Sequence, residues 1–442
     1  LKLLATWINR VTAARPDAAA LILPDETLSY RQLSERAHVL AQRPACPQGT
    51  VLALQAASMA EVALSAHAAS RLGRAFFPLN PALSPQRREM LLRVAGGSVA
   101  DEIELLIATS GTQGEPKAVM LSGANLQAGT QASCSRLPLV AGDAWLACLP
   151  LYHIGGMAIL YRCAEAGATV VLHEGFDPLR VWRDLEACRV SHLSLVPAML
   201  AKLLDAGRDA PPPAALRYAL VGGGPLSEAL ARRARAAGWP VCATYGMSEA
   251  GSQVATWCGL PEGWASGQVG APLPGLEVEV VDEDGRATSG IGRIRIRGDA
   301  VMAGYANPER RPGLGLEQGW FVSGDLGCFN EQGRLTVLGR HDDMLVSGGV
   351  NVHPQAVEEV LKRCPGVADA ALTAVADDVW GDLLVALVAG EAGDEALENW
   401  CRNELPGAMR PRRFIRVPAV PRNVLGKLER LALRSLAQQK MK

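Results

Sequence analysis

Residues 109–122, TSGTQGEPKAVMLS, gather hydroxyl side chains, glycines and a lysine into one short span. Thr109, Ser110, Gly111, Thr112, Gly114 and Lys117 offer exposed backbone N–H groups, hydroxyl donors and one cation, with glycines that allow close approach. That is what a polyphosphate needs. The loop is not of the Walker A type, because Gly114 is followed by Glu115 and Pro116 rather than by Lys and Ser or Thr. Taken alone it is also compatible with a solvated Gly/Ser/Thr turn, so the elements around it must decide.

The chain has 442 residues, 49% hydrophobic and 20% charged, with a net charge of −1. This length predicts two or three domains, and the composition is that of a globular protein rather than a disordered one. The near-zero charge argues against charge-driven binding to nucleic acid. Ten cysteines lie far apart without a CxxC pair, which disfavours a zinc site and fits free thiols in a reducing cytoplasm better than a disulfide framework. The N-terminal stretch lacks a signal-peptide hydrophobic region, and the apolar run LACLPLYHIGGMAILY is broken by Pro150, His153 and a glycine pair. No membrane span is expected.

Strand-like and helix-like runs alternate from about residue 50 to residue 260, the pattern of a parallel α/β layer. In RYALVGGGPLSEALARRARAAG an apolar run meets three glycines, and Pro225 is expected to open a helix. Tyr245 and Gly246 are expected on a strand-ending turn. After residue 270 the alternation GLEVEVVDEDGRATSGIGRIRIRG predicts antiparallel hairpins across Asp-Gly and Ser-Gly turns. From residue 350 a small α+β module begins, with Val357, Val360 and Leu361 at helical spacing. The expected boundaries are a large domain over 1–339, a hinge at 340–343 and a small domain over 344–442.

The ordered segments TSGTQGEPK, LPLYHIGG, VGGGP, YGMSEA, GWFVSGDLG, GRHDDMLVSGGVNVHP and PRNVLGKLER resemble the adenylate-forming enzyme superfamily, which includes acyl- and aryl-CoA synthetases, luciferase and peptide-synthetase adenylation domains. The resemblance implies an α/β fold: a large N-terminal domain of layered sheets with a β-rich subdomain, and a small, mobile C-terminal domain. It implies ATP, Mg²⁺ and CoA as cofactors and co-substrates, with a small carboxylic acid as the other substrate. The loop would grip the β- and γ-phosphates, although Gln113 and Ser248 depart from the usual hydroxyl residue and threonine. Gly223, Gly224, Tyr245 and Gly246 would surround the adenine, Glu249 would ligate Mg²⁺, and Asp325 and Arg340 would hold the ribose. Each has a plainer reading: Glu249 as a helix N-terminal carboxylate, Asp325 as a turn residue, Arg340 as a solvated cation. Lys427 would be the catalytic lysine, a positioned cation that offsets charge as a carboxylate attacks the α-phosphate.

Asp342 matches the hinge position. Ser347, Gly348 and Gly349 match the strand lining the pantetheine tunnel, and Trp380 is either near CoA or in the core. PLYHIGG contains no acid to hold a substrate amine, which disfavours amino-acid activation. Residues 146–255 most resemble o-succinylbenzoate–CoA ligases of menaquinone biosynthesis, and His153 would border an acyl slot or cap a buried turn. The alternatives left open are another benzoate or medium-chain ligase, an acyl-AMP ligase that loads a carrier protein, and a non-catalytic nucleotide-binding relative. A homodimer is among the oligomeric states left open.

Overall fold

The computed structural model describes residues 1–42, 50–95, 99–109, 117–306, 313–377, 380–422 and 426–441. The expected phosphate-loop residues Ser110, Gly111, Thr112 and Gly114 lie outside these, as does Gln113.

Four sheets organise the described residues. The largest has eight strands, in the order Ser252–Cys258, Val241–Met247, Tyr218–Val221, His192–Leu195, Ala144–Ala147, Thr169–Leu172, Ala19–Ile22 and Thr27–Ser29. Its centre is parallel, and helices Ile154–Ala166, Pro178–Ala187, Pro197–Ala206 and Glu228–Ala236 connect the strands. The alternation in sequence anticipated this layer, since strands buried on both faces need helical crossovers to cover them. Ala144–Ala147 and His192–Leu195 are buried throughout. One local expectation fails. The helix after the three glycines starts at Glu228, not at Pro225, because the Ser227 side chain accepts from Leu230 N and caps it there.

A second sheet carries the expected phosphate loop. Strands Ile103–Thr109 and Lys117–Ser122 form an antiparallel hairpin with Thr109 opposite Lys117. Thr109 and Lys117, which flank the expected phosphate loop, therefore lie on paired strands. The third sheet is antiparallel, in the order Gln268–Gly270, Leu335–Arg340, Phe321–Phe329, Gly292–Gly298, Leu276–Val281. Its expected hairpin pairs Leu276–Val281 with Gly292–Gly298, and both the Asp-Gly and Ser-Gly steps fall in the one connection.

The fourth sheet is built from Val350–Val352, Leu345–Ser347, Gly381–Gly390, Val367–Asp377 and Arg413–Arg416. Helix Pro354–Lys362 packs Val357, Val360 and Leu361 into its core, as their spacing predicts. Between the third and fourth sheets the chain makes a short 3₁₀ turn at His341–Asp343. Among the described residues no helix is long and apolar enough to cross a membrane.

The cysteines depart from the expectation of free thiols. Cys242 and Cys258 stand directly opposite each other on neighbouring antiparallel strands and are joined as a disulfide. Their separation in sequence hid a pairing that only strand register creates.

His67, His173 and His192 are buried, and of these only His173 has, among the described residues, an acidic partner within salt-bridge distance, Asp184. His192 stacks between Trp145 and Tyr218, with ring centroids 4.7 and 5.0 Å away, and His67 Nδ1 has no hydrogen-bond partner. Burial pushes both imidazoles from 6.5 down to about 4. The unfolded chain therefore binds more protons between about pH 4 and 6.5, so stability present above that window is lost as pH falls through it. Denaturant midpoints measured from pH 7 down to pH 4 should drop. The drop should be shallower in a variant carrying His67→Leu and His192→Phe.

Candidate active site

Tyr245 and Gly246 lie inside strand Val241–Met247, not on a turn beyond it, with a register shift between them against Ser252–Cys258. A Cβ on Gly246 would overlap the Ser252 carbonyl oxygen, so only glycine allows the two strands to close there. The Tyr245 hydroxyl donates to Asp325 Oδ2 at 2.7 Å. Asp325 and Arg340 are opposite each other on neighbouring strands, and Arg340 Nη1 is 3.5 Å from Asp325 Oδ1. Burial and the nearby Asp325 carboxylate push the Tyr245 phenol well above its usual range. The Ser323 hydroxyl accepts from Asp325 N at 3.1 Å, and both lie within strand Phe321–Phe329, so Asp325 is a strand residue rather than a turn residue. Two acceptor oxygens held this firmly still have lone pairs to spare for a diol.

Ser248 and Glu249 follow in the 3₁₀ turn Ser248–Ala250. The Tyr305 hydroxyl donates to Glu249 Oε1 at 2.7 Å, and Lys117 Nζ lies 4.9 Å from the centre of the Tyr305 ring. The hairpin that ends in Thr109 and Lys117 is thereby joined to the glutamate through one tyrosine. Thr109 Oγ1 lies 3.4 Å from the Lys117 carbonyl oxygen and closes the hairpin. Among the described residues no group of three or more His, Cys, Asp or Glu side chains could hold a metal. A single carboxylate does fit Mg²⁺ carried in on phosphates, since that ion keeps most of its ligands from water and nucleotide.

Lys427 comes from the far end of the chain. Partial desolvation lowers its ammonium below the usual lysine range; Asp325 raises it, Arg340 lowers it and Glu249 raises it. These influences put the expected catalytic lysine among the expected ribose and metal residues. Its position is set by Arg422, which grips Asp369 through both terminal and inner nitrogens at 3.0–3.1 Å. Arg422 Nη1 also donates to the Gly426 carbonyl at 2.8 Å, and Arg422 pairs with Leu428 across the loop. Gly426 has φ +73° and packs near Ala198 and Val196, at the start of helix Pro197–Ala206.

His153 precedes helix Ile154–Ala166, and its side chain makes no cap. Burial first, and Lys427 second, push its imidazole down to about 4, which makes it neutral at pH 7. Gly223 has φ +74° in the turn after Tyr218–Val221, with Gly224 next to it, facing Val196 and Pro197 respectively. The other expected residues form a separate group. Ser347 is buried and ends a strand. Gly348 and Gly349, at φ +57° and +77°, make the two-residue turn to Val350–Val352 that requires left-handed backbone at both positions. Gly348 N donates to the Trp380 carbonyl at 2.9 Å, and a Cβ on Gly348 would meet the Trp380 ring at 3.2 Å. The Arg412 guanidinium covers that ring at 4.2 Å. Asp342 is exposed, with Oδ2 3.5 Å from Arg340 Nη2.

Sequence reasoning missed Tyr305, Gly324, Arg422 and Arg162. Arg422 sits in PRNVLGKLER and could have been suspected; the others have no local signal. Arg162 is fully enclosed yet makes no hydrogen bond among the described residues, and its guanidinium lies 5.2 Å from the Trp145 ring centre.

Gly324 leaves room for Arg340, because a Cβ there would stand 2.5 Å from Nη2. Gly324→Ala should displace the flexible arginine end from Asp325 without unfolding the sheet. Steady-state kinetics should show the KM for ATP raised about tenfold, the scale of one charge-assisted hydrogen bond. Thermal melting should be little changed.

A family model described as AMP-binding enzyme matches residues 8–100 and 97–306, and one described as AMP-binding enzyme C-terminal domain matches residues 356–427. The 2-succinylbenzoate–CoA ligase of Bacillus thuringiensis subsp. konkukian (strain 97-27) is 30% identical over 99% of this chain and 100% of its own. The o-succinylbenzoate CoA synthetase (MenE) of Bacillus subtilis, in complex with the acyl-adenylate intermediate OSB-AMP, is 29% identical with a TM-score of 0.86, covering 97% of each chain. A double mutant of that synthetase bound with its product analogue OSB-NCoA is 29% identical over 97% of each chain, with a TM-score of 0.72. Matched along both its large and small parts, the chain belongs to the AMP-binding enzyme family.

Proposed function

We propose that this chain is an ATP-dependent carboxylate–CoA ligase acting on o-succinylbenzoate. Its large domain would span 1–339, its hinge 340–343 and its small domain 344–442. The acid and ATP give acyl-AMP and pyrophosphate, and the acyl group then passes to the thiol of CoA. The observation that carries this reading is the likeness of the whole chain to 2-succinylbenzoate–CoA ligases, with Lys427 in electrostatic reach of Asp325, Arg340 and Glu249. The 2-succinylbenzoate–CoA ligase relative supports the acid and the acceptor. A cytoplasmic setting, where ATP and CoA are held, fits it.

In the first step a carboxylate oxygen forms a bond to the α-phosphorus, and the bond to the bridging oxygen of pyrophosphate breaks. Both reactants are anionic. A cation already held in place lowers that barrier without solvent having to reorganise, and Lys427 is the cation available. Asp325 accepts from the ribose hydroxyls, and Arg340 holds the Asp325 carboxylate in place. Glu249 would hold Mg²⁺, which neutralises phosphate charge when bound. His153, neutral at pH 7, adds no competing charge beside the acid. In the second step the thiol sulfur bonds to the acyl carbon, the acyl carbon–oxygen bond breaks so that AMP leaves keeping that oxygen, and the thiol proton is released. Turning the small domain about Asp342 would withdraw Lys427 and bring the Ser347–Gly349 strand and Trp380 to the pantetheine arm. The TM-scores of 0.86 against the acyl-adenylate complex and 0.72 against the product-analogue complex favour the adenylate-forming orientation for this chain.

Arg162 favours this acid over octanoate or another monoacid. o-Succinylbenzoate carries two carboxylates, and only one is activated. A buried guanidinium with no hydrogen-bond partner is suited to receive the other.

Lys427→Ala should cut acyl-AMP formation at least ~10²-fold and leave thioester formation from supplied acyl-AMP near normal. Single-turnover assays of each half-reaction check this, and equal losses in both would remove the assigned role. Arg162→Met should fold normally, since it removes a buried unpaired charge, and should raise the KM for o-succinylbenzoate at least about tenfold. Octanoate turnover, however slow, should not change. An unchanged KM for o-succinylbenzoate would leave the ligase without this basis for its acid.

A further inference from the structure

Helix Pro197–Ala206 begins without a side-chain cap. Val196 holds the N-cap position, and it has no oxygen to accept from the first-turn N–H groups. The helices before and after it in the chain, Pro178–Ala187 and Glu228–Ala236, are capped by Asp177 and Ser227, whose side chains accept from Arg180 N and Leu230 N. Serine, threonine, aspartate and asparagine favour this place, and an aliphatic residue gives up the stabilisation they bring.

The two γ-methyls of Val196 face two different loops. A Cβ built on Gly223 would stand 3.3 Å from Val196 Cγ1, and one built on Gly426 would stand 3.9 Å from Cγ2. Gly223 lies in the VGGGP turn expected around the adenine, and Gly426 is bonded to Lys427. Both glycines have left-handed backbone, at φ +74° and +73°. Neither brings a side chain to the contact, so both backbones come close to one buried valine. Ala198, two residues on, meets the same Gly426 position at 3.4 Å.

Val196 follows strand His192–Leu195 and packs into the core with Leu195, Val221 and Leu226. It is therefore a fixed point beside the largest sheet. The nucleotide turn lies against one branch and the lysine loop against the other, so the valine sets the spacing between them. Arg422 ties the lysine loop to Asp369 in the small module, which fixes the loop's shape but not its place against the nucleotide.

We propose that Val196 is a positioning residue for adenylate formation: its side chain seats the Gly426 backbone and so sets Lys427 against the nucleotide turn. It rests on the ligase reading above. Valine is kept at a helix start that favours an oxygen because the seat needs two apolar branches. When the small module turns, Gly426 leaves the seat, and thioester formation no longer depends on it.

Two variants separate the seat from the helix. Val196→Ala removes both methyls; Val196→Ser removes them and supplies a cap oxygen. Single-turnover assays should show acyl-AMP formation from o-succinylbenzoate lowered at least about tenfold in both, since misplacing a catalytic group by about 1 Å is enough for that. Thioester formation from supplied acyl-AMP should stay within about twofold of the parent, because that step does not use the lysine's position. Val196→Ser should melt above Val196→Ala, since it regains the cap. Unchanged acyl-AMP formation in both variants overturns the proposal. So does an equal fall in the two half-reactions, which a merely structural role would give. A first half-reaction restored in Val196→Ser along with its melting temperature also overturns it, because the loss would then belong to the helix. The parent chain is the check on the underlying reading. If it forms no acyl-AMP with o-succinylbenzoate or any other acid, the ligase reading fails, whereas an active parent with unaffected variants sinks only the role of Val196.

Discussion

A lysine ammonium within electrostatic reach of two carboxylates and a guanidinium is the constraint on which the rest of the architecture depends. Lys427 feels Asp325 and Glu249 as attraction and Arg340 as repulsion, while partial desolvation lowers its affinity for a proton. Each of these groups arrives from a different stretch of chain. Glu249 follows a parallel strand, Asp325 and Arg340 face each other across an antiparallel pair, and Lys427 comes from the C-terminal module. No two of the three sheets involved could supply the site alone.

Holding a distant lysine in place requires an anchor, and the anchor is structural rather than chemical. Arg422 binds Asp369 and the Gly426 carbonyl, so the loop bearing Lys427 is tied to strand Val367–Asp377. Arg430, just beyond, joins Glu358 at 2.5 Å and Asp343 at 3.3 Å. Glu358 is buried, so that pair links helix Pro354–Lys362 and the linker turn to the helix after the lysine. A small module tied together in this way moves as one body if it moves at all. This is what a hinge at Asp342 requires, and the exposed, weakly paired Asp342 contrasts with the tightly held Asp343 beside it.

Around Tyr245, Asp325 and His153, close backbone approach does the positioning. Gly246 allows Ser252 to lie against it, Gly324 allows Arg340 to cross, and Gly156 leaves no room for a Cβ beside the Leu149 and Pro150 carbonyls. Side chains at these places would push apart strands and turns that carry Tyr245, Asp325 and His153. The glycines thus set distances between polar groups, and the hydrogen bonds then refine them.

Much was legible in the residues themselves. Apolar runs ending in glycine and followed by helical spacing predicted a parallel layer, because a strand buried on two faces must be apolar throughout and must cross over. The alternating segment after residue 270 predicted antiparallel pairing, since a sheet with one solvated face alternates in burial. Thr109, Lys117, Glu249, Asp325, Arg340 and Lys427 stood out by type and by ordered neighbours. Tertiary structure decided the rest, because it brings together residues that share no spacing. Tyr305 reaches Glu249 across 56 positions, and Arg422 reaches Asp369 across 53. Cys242 meets Cys258 through strand register, and Arg162 is conspicuous only because burial leaves its Nε without a hydrogen-bond partner. Local sequence determines what each segment must bury; which polar group meets which is decided only when the buried faces have closed on one another.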